Sequence, residues 1–199
     1  MIMANVSQKW LNGKELNVLS FFSRGNNIKI HGNELAKKLE MPQRTIMRNL
    51  DLLNKLGVLK FVRIGKNKTY SLNLNSPVTL TALITAESWK TVNFLIRNPK
   101  IAILLDEIKC GVIIFGSYAR GDNKENSDLD IVFLCERKHI KKILDKFSIE
   151  IHPQFVSLTE FEKKIIDKDA LALEILKDHI LFQEIERLSK MMVESDKDG

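Results

Sequence analysis

Two short apolar runs bracket a polar bend, and the residues at that bend restrict the fold more than any other part of the chain. The first run, Gly111-Val112-Ile113-Ile114-Phe115, leads straight into Gly116-Ser117 and a helix-like Tyr118-Ala119-Arg120-Gly121. The second, Ile131-Val132-Phe133-Leu134, is entered through Ser127-Asp128-Leu129-Asp130. Unbroken β-prone runs of this length predict apolar strands. Asp128 and Asp130 stand two apart, so on a strand both carboxylates leave the same face. Two like charges beside apolar sequence are unfavourable unless a cation lies between them. Carboxylates with open positions suit Mg²⁺, which takes one or two of them together with substrate phosphates. Gly116 lets backbone approach a phosphate, the N–H groups of the following helix start favour an anion, and the Ser117 hydroxyl can donate to it. Arg120 is a phosphate contact or a member of a structural ion pair.

A strand, a Gly-Ser turn, an Arg-Gly helix end and a Ser-Asp-x-Asp strand together resemble the DNA polymerase β-like nucleotidyltransferase superfamily, in particular its minimal stand-alone members. The resemblance covers roughly residues 100–160 and implies a mixed-sheet domain. It also implies that the triphosphate of an NTP, with ATP the expected one, lies on Gly116-Ser117. Mg²⁺ would then sit between the phosphates and Asp128 and Asp130, while an acceptor hydroxyl attacks the α-phosphorus and pyrophosphate leaves. The family supplies a third carboxylate from a later strand. The matching stretch here is Phe147-Ser148-Ile149-Glu150-Ile151-His152-Pro153-Gln154-Phe155-Val156, which puts His152 at that place. Glu150 lies two residues earlier on the same face and can substitute after a register shift. His152 reads more simply as a partly buried polar residue before a proline. The missing acid leaves turnover open while nucleotide binding stands.

Charge divides the chain. Residues 1–77 hold 13 basic and 4 acidic side chains, a net +9; the remainder holds 18 and 21, a net −3. The overall +6 therefore hides a basic half suited to a polyanion. The polar stretch Asn73-Leu74-Asn75-Ser76-Pro77 marks the expected domain boundary, giving units 1–77 and 78–199. In the first unit, Glu15–Phe22 reads as a helix stopped by Arg24-Gly25-Asn26. Asn33 is a cap for Glu34–Leu39, and Pro42 fits the first turn of a third helix ended by Gly57. On that third helix Ile46, Leu50, Leu53 and Leu56 face inward, and Arg44, Met47, Arg48 and Asp51 outward. Val58–Ile64 and Thr69–Leu74 form a hairpin whose tip, Gly65-Lys66-Asn67-Lys68, gathers Arg63, Lys66 and Lys68. This order resembles a winged helix-turn-helix over residues 12–75, so the expected fold class is α+β in two parts. The resemblance implies double-stranded DNA as partner, with Gln43, Arg44, Thr45 and Arg48 at base edges and Arg63, Lys66 and Lys68 at the backbone. One such unit offers a small contact surface, so tight specific binding expects a homodimer.

The rest reads as scaffold: a helix over 78–97 with Leu80, Leu83, Ile84, Val92, Leu95 and Ile96 on its buried face, and a second from Pro99 to Lys109. Beyond these come a Thr159/Glu162 capping box, a helix over Ala170–Lys177, a strand at His179–Phe182 and a closing helix Gln183–Met192. His139 and His179 read as surface or boundary residues, Cys110 and Cys135 as buried free thiols, and Val193–Gly199 as a loose tail. No apolar run approaches the roughly 20 residues that span a bilayer, and no signal peptide is apparent; a cytoplasmic protein is expected. The leading expectation is a DNA-binding nucleotidyltransferase that modifies a protein side chain or small molecule. The alternatives are a DNA-binding regulator that only senses a nucleotide, and an antitoxin-like protein that binds a toxin partner.

Overall fold

A computed structural model describes residues 11–25, 27–147 and 149–194. The sequence expectations for Asn26, the side chain of His139, the N-terminal leader and residues 195–199 lie outside the described residues. Among the described residues no helix is long and apolar enough to cross a membrane.

The N-terminal part runs α1 (Gly13–Phe22), β1 (Ile30–His31), α2 (Gly32–Lys38), α3 (Gln43–Lys55), β2 (Leu59–Ile64) and β3 (Asn67–Leu72). Its three strands form an antiparallel sheet in the order β1-β3-β2. Helix α3 buries Ile46, Leu50 and Leu53 completely, as its spacing predicts. Gly57, at φ +77°, follows the α3 cap residue Leu56 in the left-handed conformation that glycine adopts without strain. Three local expectations fail. Asn33 lies inside α2, where its carboxamide oxygen accepts from Gln43 Nε2 at 2.6 Å; His31 takes the cap position. The hairpin tip is only Gly65-Lys66, because Ile64 pairs with Asn67 and Arg63 with Lys68. Lys68 thus belongs to the strand, not the tip, and Asp51 is not a free outward acid. Lys68 Nζ and Tyr70 Oη donate to the Asp51 carboxylate at 3.1 and 2.8 Å. Partial burial works against that carboxylate, but the two hydrogen bonds outweigh it and hold its pKa below the ordinary value.

The C-terminal part begins with α4 (Pro77–Arg97) and α5 (Pro99–Asp106). It continues through β4 (Val112–Ile114), α6 (Gly116–Arg120), β5 (Leu129–Phe133), α7 (Arg137–Leu144), β6 (Ile151–Phe155), α8 (Leu158–Ile166), α9 (Ala170–Lys177), β7 (Ile180–Phe182) and α10 (Ile185–Glu194). The mixed sheet has the order β6-β5-β4-β7, with β5 and β6 parallel and the other pairs antiparallel. Both faces are covered, which is why the strands read as unbroken apolar runs. Val112, Ile114, Ile131 and Phe133 pack under α5 and α7; Ile113, Val132 and Leu181 pack under α8, α9 and α10.

Helix α4 does not bury the face that its large residues suggest. Ala82, Leu83, Ala86, Glu87 and Phe94 point inward, while Val92 and Ile96 are exposed. Small side chains let α1 pack closely on α4, so Ala82, Leu83 and Ala86 complete the same core as Leu16, Leu19 and Phe22. Val193 also joins that core, at 5% exposure, so it is no part of the expected loose tail. The capping box of α8 is Ser157 with Glu160, two residues before the expected pair. Both spacings satisfy the pattern; starting at Leu158 puts Phe161 and Ile165 into the core. The two cysteines are half-buried and face each other at the ends of β4 and β5, with Sγ atoms 2.8 Å apart. Burial and the facing Cys135 push the Cys110 thiol up to about 12.

His179 is no boundary residue: it is 1% exposed, between α9 and β7, and meets the equally buried Glu87 of α4.

Candidate active site

The site grows from the turn after β4. Gly116 has φ +66°, and a Cβ there would overlap the Asp130 carboxylate, so glycine is required both by conformation and by space. Helix α6 lasts five residues and is stopped by Gly121 at φ +79°; the Gly121 and Asp122 N–H groups donate to the Ser117 carbonyl at 2.9 and 3.1 Å. The chain then returns through a closed turn. Ser127 Oγ accepts from the Lys124 N–H at 2.8 Å, and the Ser127 N–H donates to the Lys124 carbonyl at 3.0 Å. Ser127 therefore fixes the turn that delivers Asp128 to the entry of β5.

Strand β6 lies alongside in parallel. Asp130 pairs with His152 in register, and the Leu129 N–H donates to the Glu150 carbonyl at 2.9 Å. His152 Nε2 stands 3.3 Å from Asp128 Oδ2, and its Nδ1 stands 3.7 Å from Asp130 Oδ1. One ligand atom each from Asp128, Glu150 and His152 lies within 4.8 Å of the others. The expectation that His152 is partly buried is corrected. Its side chain is 60% exposed and turned onto both aspartates. The reason is its strand: β6 is the sheet edge, where Pro153 costs no ladder hydrogen bond, and its alternation turns His152 and Gln154 outward. On the inward side Phe155 stacks on Phe133, with ring centroids 5.4 Å apart. Glu150 and His152 both reach Asp128, so neither displaces the other. Carboxylates and an imidazole at this spacing, open to water, fit a divalent cation.

Clefts flank α6. One, of about 540 Å³, adjoins the carboxylates and is lined by Arg97, Lys100, Tyr118, Ser127 and Glu150 among others. The second, of about 340 Å³, lies toward α1 and includes Arg24, Arg97, Tyr118, Arg120 and Asp178. Arg97 and Lys100 were missed by sequence reasoning, which gave the α4–α5 junction no chemistry. The available signal was a basic pair flanking the Asn98-Pro99 break. Arg120 is exposed and its Nε donates to Asp122 at 3.2 Å, so it forms an ion pair that solvent weakens. Gly116 and Arg120 also border a depression of about 370 Å³ with Lys177.

On the basic half, Gln43, Arg44 and Arg48 are exposed on α3, as are Arg63 and Lys66 on the hairpin; Thr45 and Lys68 are half-buried. A groove of about 590 Å³ between α2, α3 and the hairpin is lined by Gln43, Met47, Lys66 and Lys68 among others. Gln43 and Lys68 are already engaged by Asn33 and Asp51.

Residues 101–198, which hold the mixed sheet and the carboxylates, match the family model described as "Nucleotidyltransferase domain". No curated protein and no solved structure matches the chain. The family match supports nucleotidyl transfer in general.

Proposed function

We propose that the C-terminal part transfers a nucleoside monophosphate from an NTP, ATP first among them, to a hydroxyl of a protein side chain or small molecule. The observation that carries this reading is the convergence of Asp128, Asp130, Glu150 and His152 at one end of β5 and β6, directly against the Gly116-Ser117 turn. The Ser117 hydroxyl and the backbone at the start of α6 hold the phosphates, and Arg97 and Lys100 supply positive charge across the adjoining cleft. A divalent cation such as Mg²⁺, held by Asp128, Asp130 and Glu150, neutralises phosphate charge when bound. The carboxylates orient the acceptor oxygen for attack on the α-phosphorus, from which pyrophosphate departs. The test is incubation with α-labelled ATP, divalent metal and cell extract. Transferred label that disappears in Asp128→Asn with Asp130→Asn supports the reading; label that persists in the double variant sinks it.

We further infer that the N-terminal unit is a winged helix-turn-helix that binds double-stranded DNA. Three helices followed by a hairpin in an antiparallel sheet, together with the net charge of +9 over residues 1–77, support this. Arg44 and Arg48 are placed for base edges, Arg63 and Lys66 for phosphates, with Lys68 supporting the hairpin through Asp51. Arg44→Ala with Arg48→Ala is expected to erase sequence preference. Lys66→Ala is expected to weaken all duplexes alike and to lower the salt slope by about one. Duplex binding that ignores salt overturns the assignment.

A second reading, a DNA-binding regulator whose transferase site only senses a nucleotide, is favoured by the direct ties between the units. Arg24 of the N-terminal part donates to Asp178 at 2.6 Å, and α4 runs through both cores. NTP-dependent change in DNA affinity without transferred label distinguishes it.

A further inference from the structure

We propose that His152 sets the metal preference of the carboxylate site, moving it from Mg²⁺ toward Mn²⁺; this rests on the transfer reading above. The position beside Asp130 in the β5–β6 register, where an acid is expected, holds an imidazole instead. That ring is no bystander. Its two nitrogens stand 3.3 and 3.7 Å from the two aspartates, and it shares with Asp128 and Glu150 a space small enough for one ion. Any cation held between these carboxylates meets a nitrogen lone pair as one of its neighbours.

Donor chemistry then separates the metals. Mg²⁺ is small, keeps oxygen ligands and sheds water reluctantly, so a nitrogen donor gives it little. Mn²⁺ also accepts six oxygen-rich ligands, including phosphates, but as a transition metal it binds imidazole as well. The exposed, open side of the site suits a six-coordinate ion that shares its ligands with a nucleotide. His152 thus supplies discrimination while Asp128 and Glu150 supply charge.

The experiment titrates the full-length protein with Mn²⁺, following loss of the free-ion electron paramagnetic resonance signal, and then displaces Mn²⁺ with Mg²⁺. The quantity read is the ratio of the two affinities in wild type and in His152→Asp. Mn²⁺ binds carboxylate sites somewhat better than Mg²⁺ in any case, so the wild-type ratio alone decides nothing. The Mn²⁺ preference is expected to fall by about tenfold in the Asp variant, as Mn²⁺ loses its nitrogen and Mg²⁺ gains an oxygen. His152→Asn serves as a second variant, and the exposure of this side chain predicts that both fold with an unchanged thermal midpoint. A ratio unchanged in both variants overturns the inference: the imidazole would then be only a counter-ion that affects both metals equally. If that ratio is unchanged while label transfer persists, the inference falls alone. If neither metal binds, with or without ATP, the transfer reading falls with it.

Discussion

His152 and His179 stand at nearly the same distance from a carboxylate, 3.3 Å from Asp128 in one case and 3.4 Å from Glu87 in the other. Their surroundings differ completely. His152 and Asp128 are 60% and 35% exposed at the sheet edge, whereas the side chains of His179 and Glu87 are each 1% exposed between the two halves of the molecule. Water, more than distance, decides what each pair can do. The exposed pair is weakly held and can exchange its contact for a cation. The buried pair must be matched permanently. Lys90 Nζ donates to Glu87 Oε1 at 3.0 Å, and His179 Nδ1 lies 2.9 Å from the Ile175 carbonyl. Glu87 Oε2 and His179 Nε2 face each other outside hydrogen-bond geometry, so the pair is held by charge. Burial alone would raise the Glu87 pKa. The charges of Lys90 and His179 outweigh it and leave the carboxyl well below its ordinary value.

Removing one carboxylate from each pair gives the sharpest contrast. Asp128→Asn is expected to lower label transfer by roughly a thousandfold, about 4 kcal/mol of barrier, while the thermal midpoint stays the same or rises as repulsion with Asp130 is relieved. A fall in thermal midpoint comparable to that of a buried-charge mutant would contradict the comparison. Glu87→Ala is expected to do the reverse. It leaves Lys90 and His179 uncompensated in the interior and lowers stability by about 3 kcal/mol or more, roughly 10 °C by calorimetry. Transfer per folded molecule should persist.

The same asymmetry predicts the response to acid. A carboxyl whose folded pKa is depressed gives stability that is present above its unfolded value, about 4.5 here, and is lost as pH falls toward the folded value. Urea midpoints should therefore drop below about pH 4.5, and Glu87→Gln should flatten that drop. An unchanged slope in this variant would assign acid sensitivity to other groups. Gly116→Ala is expected to cost about 1–2 kcal/mol from its positive φ and to lose transfer as Asp130 is displaced. At the small end, Arg24→Ala with Asp178→Ala in a double-mutant cycle should give a coupling under about 1 kcal/mol that 1 M salt removes, as the exposure of that pair requires.

The open site was legible because local rules govern it. Alternation fixes the shared face of Asp128 and Asp130, the Gly116-Ser117 pair marks a close backbone approach, and continuous apolar runs mark the strands. The choice between Glu150 and His152 was not legible, since Glu150 just before β6 and His152 on it share one face and only the β5–β6 register shows that both arrive. The buried pair left no local mark. Glu87 sits among Ala86 and Ser88, and His179 between Asp178 and Ile180, so each looks solvated until α4 is turned to bring Ala82 and Ala86 toward α1. Helix rotation of this kind follows from close packing of small residues, and a search for large apolar side chains points to the wrong face. The capping box failed for a related reason: two overlapping patterns were equally good, and Phe161 decided between them.

The place of Val193 carries a consequence for how the chain is made. Leu16, Phe22 and Leu50 are synthesised early, but the core they form is completed by Val193, which the chain reaches only after the whole mixed sheet, on a helix packed against α4. During translation the first unit therefore emerges with one side unsealed, and it stays so until α10 clears the ribosome. A chain cut short before α10 displays that gap to chaperones and proteases, so the finished core of the first unit depends on α10 having been made.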